Sequence, residues 1–226
     1  MACIFLRITE LIMTSVLMNI GVTENANSLA NFQPTILKGL GYTATQAQVH
    51  TIPVYLVGAA FSVIFAYMSE WLQRRYLFYV MGWAVLATGL IVEIVHPSNP
   101  AVRYMGLFFI ASGCYLAMPI SIIWVSMNCG SGYKRAVAIA AIINFGTAGA
   151  FISSNVFLFK EAPVFRTGFS TGLGLACIGV IAATVTFFGC KRENKKRDEA
   201  RLQMPEILDQ SMKALGDDHP DFRFAL

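Results

Sequence analysis

Charge is what this sequence has least of. Asp, Glu, Lys and Arg make up 13% of its 226 residues, about half the share found in soluble domains. Hydrophobic residues make up 56%, and the mean hydropathy is +0.58. A soluble chain of this composition would leave too much apolar surface in water to stay dispersed. Histidine is also scarce. His50, His96 and His219 all lie outside the clear apolar runs, which leaves no His-rich metal site or Ser/His pair at depth. The cysteines, Cys3, Cys114, Cys129, Cys177 and Cys190, form no CxxC and no regular spacing. They read as packing residues rather than as disulfides or metal ligands. There is no Gly-rich phosphate loop, no Asn-x-Ser/Thr acceptor and no clear cleavage site after the first apolar stretch. Together these absences argue against an enzyme and against a cofactor.

What the sequence does have is long apolar runs. A membrane-spanning helix needs about 20 largely apolar residues. Residues 52–69, 104–127, 136–159 and 167–190 meet this without a charge, and 76–95 carries only Glu93 near its end. Period-2 alternation is absent, so the spans are expected to be helices rather than strands of a barrel. A sixth span, 11–37, is more polar. Its Glu24, Asn27, Ser28, Asn31 and Thr35 follow the spacing i, i+3, i+4, i+7 and i+11, which is one helical face. Such a stripe belongs against a bundle interior or a watery cavity. The fold expected is therefore an all-α integral membrane bundle of six helices. It is preceded by a short segment, 1–10, and followed by a polar tail, 191–226, part helix and part flexible.

The charges that exist are distributed unevenly. One side of the bundle holds Arg74, Arg75, Lys134, Arg135 and the cluster Lys191, Arg192, Lys195, Lys196, Arg197 and Arg201. The other holds Lys38, Arg103, Lys160 and Arg166. The positive-inside bias places the first side, with both termini, in the cytoplasm. The basic cluster is read as a juxtamembrane flank facing membrane lipid, not as a nucleic-acid site.

Several stretches resemble the C-terminal half of a major facilitator superfamily transporter, in the fungal allantoate permease branch of anion:cation symporters that includes nicotinate and other carboxylate carriers. They are SLANFQPTILKGLGYTATQAQVHTIPVYLVG (28–58), YLAMPISIIWVSMNCGSGYKRAVAIAAIINFGTAGAFISS (115–154), KRENKKRDEAR (191–201) and LGDDHPDFRF (215–224). Residues 28–58 are similar to the end of the seventh helix, the outer crossing and the start of the eighth. Residues 115–154 are similar to the tenth and eleventh helices. AYMSEWLQRR (66–75) resembles a degraded copy of the superfamily's G-x-x-x-D-R-x-G-R-R loop. Ala66, Glu70 and Gln73 stand where Gly, Asp and Gly are usual, while Arg74 and Arg75 match. A basic cytoplasmic turn of no special role predicts the same residues.

The resemblance implies secondary transport of a small organic anion, such as a carboxylate or vitamin-like acid, coupled to protons and set in the plasma membrane. It implies a substrate site near the bilayer midplane between two six-helix halves. The cavity candidates on the first helix are Glu24, Asn27, Ser28 and Asn31. Glu24 is also the proton-coupling candidate, because a carboxyl withdrawn from water favours its neutral form; a structural carboxyl bonded to a neighbouring helix is the alternative. Tyr55 is the candidate on the second helix, where Pro53 is expected to begin the helix. Tyr115 and Met118 are candidates on the fourth, near Pro119, and Asn144, Thr147 and Phe151 on the fifth. Packing hydrogen bonds explain the amides as readily as substrate binding. No residue in these spans is basic, so the anion would meet amides and hydroxyls or an Arg from the other half. A fragment, a truncation and a half-transporter with a partner all fit the sequence, a fragment or truncation best. The competing function is a non-transporting half-bundle that associates with or regulates a full-length relative, or an inactive truncation.

Overall fold

A computed structural model describes residues 2–95, 99–130, 132–157, 165–203 and 223–225. Among them every regular element is a helix: α1 (Ala2–Gly39), α2 (Ala44–Leu72), α3 (Arg75–Val95), α4 (Pro100–Asn128), α5 (Tyr133–Gly146), α6 (Ala148–Val156) and α7 (Arg166–Gln203). α5 and α6 together make one span, interrupted at Thr147, so the bundle has six members. Five of these are long and apolar enough to cross a membrane. The chain is a multi-pass membrane bundle, as its hydropathy requires. The end of the expected 136–159 span, most of the loop at 160–166, the start of that at 96–103 and tail residues 204–222 lie outside the described residues.

α1 is the member not counted among those five, and it sits at the centre. It packs against α7, α6, α4, α5 and, less, α2. Its apolar side chains Met18, Val22, Leu29, Ile36 and Leu37 belong to the main core. Its polar ones reach across to neighbours. Asn19 Nδ2 lies 3.5 Å from Ser121 Oγ on α4, and Asn25 Nδ2 donates to the Gly172 carbonyl of α7 at 3.3 Å. Tyr79 of α3 donates to the Met18 carbonyl at 3.3 Å, and Thr186 of α7 to Thr14 at 2.9 Å. A polar helix is stable in lipid when its polar groups face other helices, and α1 meets that condition at Thr14, Asn19 and Asn25.

α3 and α4 form the tightest hairpin. Glu93 near the end of α3 pairs with Arg103 in the first turn of α4, with Nε 3.3 Å and Nη2 3.2 Å from one carboxylate oxygen, both side chains being buried. The sequence places Arg103 in a loop. In the structure α4 begins at Pro100 behind an Asn99 cap, so Arg103 turns into the bundle.

Three further element ends differ from expectation. α2 begins at Ala44, not near Pro53: Thr43 and Gln46 form a capping box, and Pro53 lies inside the helix. A capping box satisfies orphan N–H groups in water and so starts a helix before its apolar part. α1 is helical from Ala2 and α7 runs to Gln203, so helix continues through the expected boundaries at 10 and 190. At 38 residues, α7 is about 57 Å long, well beyond a hydrocarbon core of about 30 Å.

Candidate functional site

The polar stripe expected on α1 divides in two. Glu24 and Ser28 are buried, whereas Asn27 is half-buried and Asn31 exposed. Ser28 Oγ lies 2.9 Å from Glu24 Oε1 and 2.9 Å from Ser153 Oγ of α6. A hydroxyl has one proton, so Ser28 gives it to one neighbour and accepts from the other. The other carboxyl oxygen, Oε2, has no hydrogen-bond partner among the described residues. Glycines bring the helices close around it. A Cβ on Gly149 of α6 would lie 2.3 Å from the Ile20 carbonyl oxygen and 2.7 Å from the Glu24 nitrogen. A Cβ on Gly172 of α7 would lie 2.5 Å from Asn25 Oδ1 and 3.3 Å from Glu24 Oε2. Neither position admits a side chain without movement of backbone or of the buried polar cluster.

The other candidates are placed as follows. Tyr55 and Tyr115 are half-buried and meet edge to face, with centroids 6.1 Å apart. Cys114 is fully buried on α4. Met118 is half-buried one turn on. Asn144, Thr147, Phe151 and Asn155 are all exposed along α5 and α6. Their polar groups bond to their own helix: Asn144 Nδ2 to the Ala140 carbonyl at 2.7 Å, and Asn155 Nδ2 to the Phe151 carbonyl at 2.8 Å. Asn27 likewise donates to the Thr23 carbonyl at 2.8 Å. The structure thus brings Glu24, Ser28 and Ser153 together in the interior and leaves Asn31, Asn144 and Thr147 on open faces.

The 66–75 stretch forms the end of α2, a turn and the start of α3. Gln73 adopts the left-handed conformation, φ 53° and ψ 29°, at the position where the resembling loop has Gly, the residue best suited to that geometry. Glu70 pairs with Arg75, which is buried, while Arg74 is exposed. An apolar groove lined by Val57, Phe61, Val85, Met105, Phe108 and Phe109 lies between α2, α3 and α4, and none of the polar candidates lines it.

Sequence reading did not single out Ser153, Asn25 or Asn19 as site residues. Asn19 and Asn25 are visible as polar residues in an apolar span, whereas Ser153 carries no signal, since its partner is 125 positions away.

The chain is 35% identical to an MFS-type transporter, cnsO, of Penicillium expansum over 88% of its own length. The chain is a homologue of fungal major facilitator transporters. An uncharacterised transporter of Schizosaccharomyces pombe is 34% identical over 87% of the chain. The high-affinity nicotinic acid transporter of Saccharomyces cerevisiae is 29% identical over 90%. The matches span only 38–40% of these relatives' lengths. No protein-family model matches the chain. The six-member bundle fits one half of a major facilitator fold, and the relatives are named as transporters rather than as enzymes.

Proposed function

We propose that this chain supplies one half of a secondary transporter for a small organic anion, a carboxylate or vitamin-like acid, moved together with protons. The observation that carries the reading is Glu24: a carboxyl with no exposed surface, set at the meeting of α1, α6 and α7 and bonded to Ser28. A carboxyl in such a place is far easier to hold neutral than charged. A group that takes up a proton when the helices part and keeps it when they close couples proton movement to helix movement.

The substrate meets the open polar residues in this reading. Asn31, Asn144 and Thr147 are exposed, on faces that a complementary six-helix half would cover in this reading, and Asn27, Tyr55, Tyr115, Met118 and Phe151 are its further candidates. Amide and hydroxyl donors bind a carboxylate without a basic residue, and an Arg from the other half would strengthen the site. The likeness to a nicotinic acid transporter supports an anion of that chemical class. The reading places the bundle in the plasma membrane with both termini in the cytoplasm.

The test is uptake of labelled nicotinate and of other small carboxylates by cells carrying the complete protein, at several external pH values. Glu24→Gln keeps the size and the hydrogen bond with Ser28 but cannot exchange a proton. Uptake driven by an inward proton gradient is expected to fall to background, while exchange of labelled for unlabelled substrate continues. An unaltered proton dependence in Glu24→Gln would rule out the coupling role. No uptake of any carboxylate by the wild-type protein would rule out the substrate class.

A further inference from the structure

Residues 223–225 lie across the end of the bundle where α4 stops and α7 continues. Two asparagines hold them there. Asn128, the last residue of α4, accepts from the Ala225 N–H through Oδ1 at 2.7 Å, and its Nδ2 lies 3.3 Å from the Ala225 carbonyl. The Trp124 indole donates to the same carbonyl at 2.9 Å. On the other flank Asn194 of α7 treats Phe224 in the same way, accepting its N–H at 2.9 Å and donating to its carbonyl at 2.9 Å. An Asn amide carries one acceptor and two donors side by side, so it can bond both main-chain groups of one residue, much as a neighbouring strand does.

Side chains add to this grip. The Arg197 guanidinium sits 4.8 Å from the centre of the Phe224 ring, and Arg223 pairs with Asp198 at 2.7 Å. Nearby the same end has an aromatic floor: Tyr76 of α3 stacks on Phe187 of α7 at 4.5 Å and faces Trp124 at 6.3 Å. α3 lies between α4 and α7, which make little direct contact with each other. The short segment is therefore a direct tie between the end of α4 and the part of α7 that extends beyond its apolar span.

We propose that residues 223–225 are a latch that fastens the end of α4 to the extension of α7 and limits how far the two can part. Five main-chain bonds from three side chains fix the backbone rather than a particular side chain, so the latch depends on Asn128 and Asn194 more than on Phe224. It goes beyond the transport reading and is read without any transported substrate.

Hydrogen exchange of the full chain in lipid nanodiscs tests it, residue by residue at Phe224 and Ala225. Both amides are expected to exchange slowly, and Asn194→Ala is expected to speed Phe224 at least about fivefold. Asn194 lies in the α7 extension beyond the expected apolar span, so this variant is expected to fold. Asn128→Asp keeps the acceptor for Ala225 and should preserve more protection than Asn128→Ala. Spin labels on cysteines introduced at Met127 and Lys196 then report the separation of the two helix ends. Deleting residues 221–226 is expected to broaden that distance distribution. Rapid exchange in the wild-type chain, or an unchanged distribution after deletion, would overturn the latch. Protection that rises with protein concentration would overturn it as well, since it would assign the segment to a neighbouring copy.

Discussion

Glu24 was legible from the sequence because a lone carboxylate within an apolar span is rare. What surrounds it was not. The residues that enclose it are glycines on α6 and α7, and a glycine announces nothing about which helix lies against it. Gly149 is the sharper case, because the atoms its Cβ would strike are main-chain atoms of α1 and cannot swing aside. Gly149→Ala is expected to push α6 off α1 and to destabilise the bundle by about 1–3 kcal/mol, the usual range for overpacking. Thermal unfolding in detergent should show the loss. The same substitution at Gly174, where a Cβ meets nothing within 4 Å, should leave the midpoint unchanged and serves as the control. The amides divide by a different rule. Periodicity groups Glu24 with Asn31, two turns apart, but burial depends on what stands beside each position: Glu24 and Ser28 are enclosed, whereas Asn31 is exposed.

Helices were more legible than their ends. Hydropathy marks where a span is apolar, whereas caps mark where a helix starts. The two disagree at α2, whose capping box stands well ahead of the apolar run expected to begin at 52, and at α7, whose charged continuation stays helical. The interruption at Thr147 had no hydropathy signal at all. Its N–H still bonds to the Ile143 carbonyl, so the break costs little backbone bonding. The ion pair between α3 and α4 is the clearest case of chemistry hidden at an element boundary. Glu93 and Arg103 read as stray charges near a loop, yet they are buried against each other. Arg103→Met strands a buried carboxylate and is expected to cost about 3–5 kcal/mol. Adding Glu93→Gln should recover most of that loss, since removing both charges removes the desolvation burden with the attraction. A double-mutant cycle on thermal or denaturant unfolding measures the coupling, and additive effects would show that the pair is not an energetic unit.

At the scale of the whole molecule, the number of spans and their helical nature were readable from composition and hydropathy. The packing order was not, because hydropathy says that a segment crosses a membrane and not what it crosses beside. Each side of the charge asymmetry loses one basic residue to an ion pair, Arg103 to Glu93 and Arg75 to Glu70, while Arg74, Lys134 and Arg135 are exposed. Orientation follows as an expectation. In a cysteine-depleted background, a cysteine at exposed Thr45 should react with a membrane-impermeant maleimide added to intact cells, and one at exposed Arg74 should react only after permeabilisation. The reverse pattern would invert the assigned topology.

α2 carries a different kind of consequence. Only Ala47, Val54, Gly58 and Ser69 among its 29 residues are buried, whereas α1 is enclosed on most sides by its neighbours. The two helices are therefore under unequal constraint. In a deep mutational scan of folding and membrane insertion, α2 should accept nearly any apolar exchange outside those four positions. α1 should reject changes of size and of polarity alike. Folding by itself then places few demands on the sequence of α2, and what restricts its exposed positions must come from function rather than from packing within this bundle.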